Sequence, residues 1–169
     1  QANLPRRDRA FVTQLVYGTL ENRMTLDWRI DQFLEGNKEI DQTVREILRM
    51  GAYQLFYLDR VPDMAAVDES VSLTRAMGLE ALTGLVNGVL RNLLRAMPLA
   101  LPDDLSLRYS HPEPIVRLFL AQFGPEETER ILQTDNEAPQ TVLQVNPLRG
   151  NAAALLEKLP GAQPHPWLP

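Results

Sequence analysis

Arg91 and Arg95 stand one helical turn apart, with Asn92 between them, at the end of a strongly patterned apolar segment. Two guanidinium groups at that spacing share a helix face and can grip phosphate or carboxylate oxygens. Near a helix C-terminus they also complement the helix dipole, so a structural role stands beside the binding one. Arg6, Arg7 and Arg9 form a second basic edge, able either to reach phosphates or to pair with neighbours such as Asp8. Tyr53, Phe56 and Tyr57 offer rings that can stack on bases or fill a bundle core. Little else in the chain suggests chemistry. Ser110 and His111 are adjacent, which suits a turn or cap and not a catalytic pair. Glu126, Glu127 and Glu129 read as the charged first turn of a helix and lack a ligand pattern with histidine. With no cysteine, these 169 residues hold no thiolate nucleophile, disulfide or thiolate metal ligand. No catalytic and no metal residues are expected.

The elements that must position those arginines are helical. Residues 82–95 carry Leu82, Leu85, Val86, Val89, Leu90, Leu93 and Leu94, the stripe of a helix with one broad buried face. Asn87 and Gly88 interrupt it with poor helix formers. Gly84 and Gly88, one turn apart, predict a site where a second helix approaches closely, and Asn87 a local or cross-helix hydrogen bond. Upstream, Asp8 to Asn22 presents Phe11, Leu15, Val16 and Thr19 on one face, and Thr25 to Leu34 presents Leu26, Ile30, Phe33 and Leu34. Glu35-Gly36-Asn37 carries C-cap chemistry. Asp41 or Thr43 caps a third helix, with Val44, Ile47, Leu48, Gly51 and Leu55 inward. Pro62 opens a fourth, running from Asp63 to Met77. Short connectors between such helices favour antiparallel packing in a bundle.

After Pro98 the character changes. Pro98, Pro102, Asp103 and Asp104 mark a connector, followed by helices from Pro112 to Phe123 and from Glu126 to Thr134, with Gly124-Pro125 as stop and restart. Thr141 to Val145 is the one good strand candidate, and Asn151 caps a last helix over Ala152 to Leu159. The expected domains are 1–98, 99–138 and 139–169, the last an incomplete α/β unit.

Composition sets bounds on function. Apolar content of 44% and charged content of 23% are those of a water-soluble globular chain. No apolar run suffices to cross a bilayer, so no membrane partner is expected. The net charge of −5 argues against a dominant phosphate-binding role. Residues 1–100 hold 12 basic and 13 acidic side chains, against 5 and 9 in residues 101–169, so the acidity lies in the second part. All but two of the basic residues are arginine. Absence of cysteine is compatible with the cytoplasm, the expected location.

Several ordered segments resemble a known fold. Ile47 to Leu55, Val61-Pro62, Ala66 to Val71 and Leu85 to Leu90 together look like the second half of a NusB fold. Arg7 to Phe11, Leu15 to Leu20, Tyr109-Ser110-His111-Pro112, Asn136 to Pro139 and Val145-Asn146 resemble a narrower group. These are the N-terminal regions of RsmB/Sun-type methyltransferases, which methylate carbon 5 of a cytosine in small-subunit ribosomal RNA. The resemblance covers nearly the whole chain. It implies a mainly α fold, a NusB-like helical bundle without its first helices, then linker helices and the first strand and helix of a ferredoxin-like RNA-binding domain. Relative to that pattern the arginine-rich opening is absent, Pro114 stands where tryptophan is usual, and Gln144 where arginine is usual.

The resemblance further implies a catalytic domain elsewhere, with a cysteine and an S-adenosylmethionine site. Neither a cysteine nor a glycine-rich strand–turn–helix loop is present in these residues. The leading expectation is therefore a non-catalytic RNA-binding and positioning region, with no cofactor of its own. Its expected RNA contacts are Arg6, Arg7, Arg9, Arg91, Asn92 and Arg95. Its partners would be small-subunit ribosomal RNA and the catalytic domain of the same protein. Two alternatives stand beside it: an adaptor of the transcription-antitermination type, and a scaffold for the catalytic domain. If opening helices are missing, an apolar groove is left exposed, which predicts self-association or filling by another segment of the chain.

Overall fold

The computed structural model describes residues 4–34, 36, 39–137 and 141–165. The chain divides into two compact units, residues 1–136 and 137–169, each considered by itself. In the first unit the helices are α1 (Arg6–Glu21), α2 (Arg23–Asp31), α3 (Gln42–Tyr57), α4 (Asp63–Ala76), α5 (Thr83–Ala96), α6 (Leu105–Tyr109) and α7 (Glu113–Asp135). A short 3-10 turn, Glu80–Leu82, leads into α5.

The core is built by α2, α3, α4 and α5. Leu26 and Ile30 of α2, Val44, Ile47 and Leu48 of α3, Ala66 and Val67 of α4, and Val86, Val89, Leu90 and Leu93 of α5 are all buried in one cluster. The five residues expected inward on α3 are all buried. Asp41 caps that helix: its Oδ1 accepts from the backbone N–H of Thr43 at 2.7 Å and of Val44 at 3.2 Å. The helix stop read at Glu35-Gly36-Asn37 lies outside the described residues except for Gly36, whose φ is 69°.

Close helix approach occurs at glycines other than those expected. A Cβ on Gly51 would sit 2.8 Å from both Leu90 Cδ1 and Ser70 Oγ, so this residue lets α3 meet α4 and α5. A Cβ on Gly18 would fall 2.0 Å from the Tyr53 hydroxyl, so α1 reaches α3 only because that position is bare. At Gly84 and Gly88 an added Cβ meets nothing within 4 Å among the described residues. The packing role assigned to that pair is corrected: both line an open groove with Phe33, Leu34, Ile40 and Asn92. The spacing put them on one face, but that face looks outward. Gly88→Ala is accordingly expected to stabilise the bundle by about 0.5–1 kcal/mol, because alanine lowers the backbone entropy of the unfolded chain at no steric cost. A lowered midpoint in urea unfolding would restore the packing role.

The buried face expected on α1 also needs correction. Thr19 and Gly18 are buried and Leu15 is half-buried, but Phe11 and Val16 are exposed. Val12, Tyr17 and Leu20 are exposed as well, Tyr17 to 61% and Leu20 to 59%. The helix rests on α3 along one edge, and the rest of its apolar surface is an uncovered ridge.

Beyond α5, the five-residue helix α6 was not anticipated. Asp104 caps it, accepting from the Leu107 N–H at 3.1 Å. Ser110 ends it in a left-handed conformation, φ 57°. That geometry aims Ser110 Oγ at α2, where it accepts from the Met24 N–H at 3.1 Å, and Thr25 Oγ1 donates to the Leu107 carbonyl at 2.5 Å. The turn role read for Ser110 and His111 is therefore physical: this is where the later helices are fastened to the bundle. Helix α7 is broken at Gly124 (φ 77°, ψ 173°), the stop expected there, and Pro125 starts its distal arm. In the second unit Asn151 caps α8 (Ala152–Leu156), its Oδ1 accepting from the Ala154 N–H at 2.8 Å. Residues 141–146 form no strand. β-Branched side chains favour extended backbone, but a strand needs a neighbour to exchange hydrogen bonds with, and none is present among the described residues.

Candidate nucleic-acid interface

Arg91 and Arg95 project from the last two turns of α5. Arg91 is half-buried and its Nε donates to Asn87 Oδ1 at 2.9 Å. Arg95 is exposed and its Nη1 donates to Asn92 Oδ1 at 3.2 Å. Each amide thus orients an arginine on its own helix, which is the local hydrogen bond foreseen for Asn87. Neither guanidinium meets a carboxylate among the described residues, so their charge is available to an outside anion. Asn92 also borders the groove past Gly84 and Gly88.

Arg6, Arg7 and Arg9 occupy the exposed first turn of α1. Among the described residues none of them pairs with Asp8 or any other carboxylate. Three cations at a helix N-terminus oppose the dipole, an arrangement that an external anion would relieve. Nothing brings them together with Arg91 and Arg95 into one described cluster.

Arg45, Arg49, Arg108, Arg117 and Arg130 are already paired with carboxylates, whereas Arg23, Arg60, Arg75 and Arg149 have no carboxylate partner among the described residues. Asp27 of α2 receives a fork from Arg49 of α3, Nε to Oδ1 at 2.7 Å and Nη2 to Oδ2 at 2.6 Å. Glu46 takes a third donor of Arg49 at 2.6 Å, and Asp31 holds Arg45 at 2.5 Å. The Asp27 bond is the chief reason the Arg49 pKa is pushed up. Arg108 is held between Asp103 at 2.6 Å and Glu129 at 2.8 Å. Glu129 also accepts from the Tyr109 hydroxyl at 3.0 Å, and Glu127 pairs with Arg130 at 2.6 Å. The three acids 126, 127 and 129 therefore serve ion pairs and a helix start. No group of three or more His, Cys, Asp or Glu residues among the described ones is arranged to hold a metal. His111 is tied down rather than poised: Nδ1 lies 2.7 Å from the Tyr109 carbonyl and Nε2 3.7 Å from Asp135.

The aromatic trio is mostly structural. Tyr53 is buried and stacks on Tyr57 with ring centres 5.1 Å apart. Burial pushes the pKa of both phenols up, and the neighbouring Arg29 pulls that of Tyr57 back down. Arg29 itself was not singled out from the sequence. Its Cζ sits 3.8 Å from the centre of the Phe56 ring and 6.0 Å from that of Tyr57. Its Nε is buried without a hydrogen-bond partner. In Asp27-Trp28-Arg29-Ile30-Asp31 the arginine reads as a charge flanked by acids, although residues two apart on a helix point to nearly opposite sides.

A helical bundle of this connectivity falls in a defined class. The chain belongs to the NusB family, whose model matches residues 1–95. The ferredoxin-like domain model described as Methyltr_RsmF/B-like matches residues 111–167. Among curated proteins, the chain is 33% identical over 159 residues to a probable ribosomal RNA small subunit methyltransferase B of Bacillus subtilis (strain 168), which aligns with 90% of this chain. It is 37% identical over 161 residues to the protein of that name from Synechocystis sp., again across 90% of the chain. A ribosomal RNA small subunit methyltransferase B of Proteus mirabilis is 34% identical across 94%. The chain spans only 36–38% of the length of these three relatives. No helix among the described residues is long and apolar enough to cross a membrane.

Proposed function

We propose that this chain is a non-catalytic region that binds and positions small-subunit ribosomal RNA for a methyltransferase domain. The observation that carries the reading is the Arg91–Arg95 pair, oriented by Asn87 and Asn92 and free of carboxylates, in a chain whose relatives are named for acting on that RNA. Arg6, Arg7 and Arg9 supply further positive charge at the exposed start of α1. In this reading residues 1–98 form the NusB-like domain, 99–138 the helical linker and 139–169 part of the ferredoxin-like domain, and the protein works in the cytoplasm. S-adenosylmethionine and the cysteine nucleophile are assigned to a catalytic domain.

The test is titration of the chain with a fragment of small-subunit ribosomal RNA at low and moderate salt. Binding is expected to be weak and strongly salt-dependent, since the chain carries a net charge of −5. The Arg91→Gln, Arg95→Gln double variant should weaken it severalfold and lower the log–log salt slope by about two, roughly one per lost phosphate contact. Tight, salt-insensitive binding would contradict a mainly electrostatic contact, and no binding at low salt would end the reading.

A second reading, protein docking, is favoured by two uncovered apolar faces. One is the α1 ridge; the other is the proximal arm of α7, where Ile115, Leu118, Leu120 and Phe123 are exposed. The catalytic domain, or a second copy of the chain, is the occupant proposed for such surfaces. Sedimentation of the chain alone, and with the catalytic domain added, separates the two.

A further inference from the structure

We infer that Arg29, seated on the Phe56 ring beside Tyr57, is a contact for an RNA phosphodiester; this rests on the RNA-binding reading above. Four arginines among the described residues are partly buried: Arg29, Arg45, Arg49 and Arg91. Arg45 and Arg49 are held by carboxylates and Arg91 by Asn87. Arg29 alone of the four has neither a carboxylate nor a hydrogen bond, and its Nε is buried without a partner. A buried donor left unpaired, and a cation withdrawn from water, both cost stability. Desolvation pulls the Arg29 pKa down, with Tyr57 opposing, yet a guanidinium stays charged at neutral pH.

A chain that needed only packing at this site would be served by an apolar side chain. The acids nearest in sequence, Asp27 and Asp31, are engaged with Arg49 and Arg45, nearer the start of α3. What remains is a positive charge fixed 3.8 Å above one ring, its Nε shut off from solvent and its terminal nitrogens, which make no internal hydrogen bond, left as the donors for a phosphate. Next to it Tyr57, 38% exposed, continues into the stack on Tyr53. A cation adjoining an exposed aromatic edge suits single-stranded RNA, which offers a phosphate to the first and a base to the second. An acidic peptide would use only the cation.

The experiment compares the full 169-residue chain with Arg29→Met and Arg29→Lys, using a labelled single-stranded RNA oligonucleotide of mixed sequence. Methionine keeps an unbranched, polarisable contact on Phe56 without the charge. Arg29→Met is expected to hold or raise the urea midpoint, to weaken RNA binding about fivefold or more, and to lower the salt slope by about one. Arg29→Lys should keep the slope and recover part of the affinity. If Arg29→Met lowers the midpoint and leaves RNA affinity and slope unchanged, Arg29 is structural and the inference falls. If a polyglutamate peptide binds the wild-type chain as tightly as RNA and loses affinity equally in Arg29→Met, the site serves an acidic partner and the inference also falls. Absence of any RNA binding by the wild-type chain overturns the underlying reading, a result distinct from binding that ignores Arg29.

Discussion

Gly51→Val should unfold this bundle more readily than any other change considered, costing about 3 kcal/mol. The branched side chain must enter a space where even a single Cβ lies 2.8 Å from Leu90 Cδ1 and Ser70 Oγ. Neither neighbour yields cheaply. Leu90 is fully buried, and Ser70 Oγ is held by its own bond to the Ala66 carbonyl at 2.7 Å. Overpacking of this kind costs about 1–3 kcal/mol, and the meeting of three helices puts Gly51 at the upper end. Gly51→Ala is the informative control. It gains about 1 kcal/mol of helix propensity, so the clash is the measured net destabilisation plus that gain. Urea denaturation followed by circular dichroism gives both values. A midpoint for Gly51→Val within error of the parent would mean that α5 can retreat from α3, and would sink the account of the core.

Asp27→Ala is expected to cost about 2 kcal/mol in the same assay. Asp27 is 28% exposed at its side chain and Arg49 12%, so the fork between them is partly shielded from water. Removing one member of a buried ion pair leaves the other charge uncompensated, at about 3–5 kcal/mol. The residual exposure of Asp27 and the surviving bond from Arg49 to Glu46 reduce that figure. Asp27→Asn, which keeps the shape and one acceptor, should lose less. Equal losses for the two variants would show that the carboxylate charge is what matters and that a neutral acceptor of the same shape recovers nothing.

How much of this was legible beforehand depended on whether a feature is local. The inward face of α3 follows from its repeat and from Asp41, both contained in one stretch of chain. The broken α7 follows from Gly124-Pro125 for the same reason. The outward face of α1 could not be read, because Phe11 and Val16 have the period of a buried stripe and periodicity does not say which side finds a partner. Gly84 and Gly88 misled likewise: their spacing defines a face, whereas close approach is decided by what lies opposite. The glycines that do admit a neighbour, Gly18 and Gly51, have no spacing signature. Of the candidate site, the Arg91 and Arg95 placement on α5 was legible from helix geometry. Arg29 was not, since an arginine between two aspartates looks like an ordinary solvated charge until the partners of those aspartates are known.

The fastening around Ser110 has a topological consequence. Asn136 Nδ2 donates to the Tyr109 carbonyl at 2.9 Å, and Asp135 lies beside His111. The chain therefore departs along the proximal arm of α7, turns at Gly124, and returns along the distal arm to the place it left. Residues 112–134 form an excursion whose two ends nearly coincide. Lengthening or shortening both arms together would change how far it reaches without moving the point at which the chain resumes, the property that makes such excursions tolerant of insertion. Reach and anchorage are thus separate variables in this fold, set by different residues.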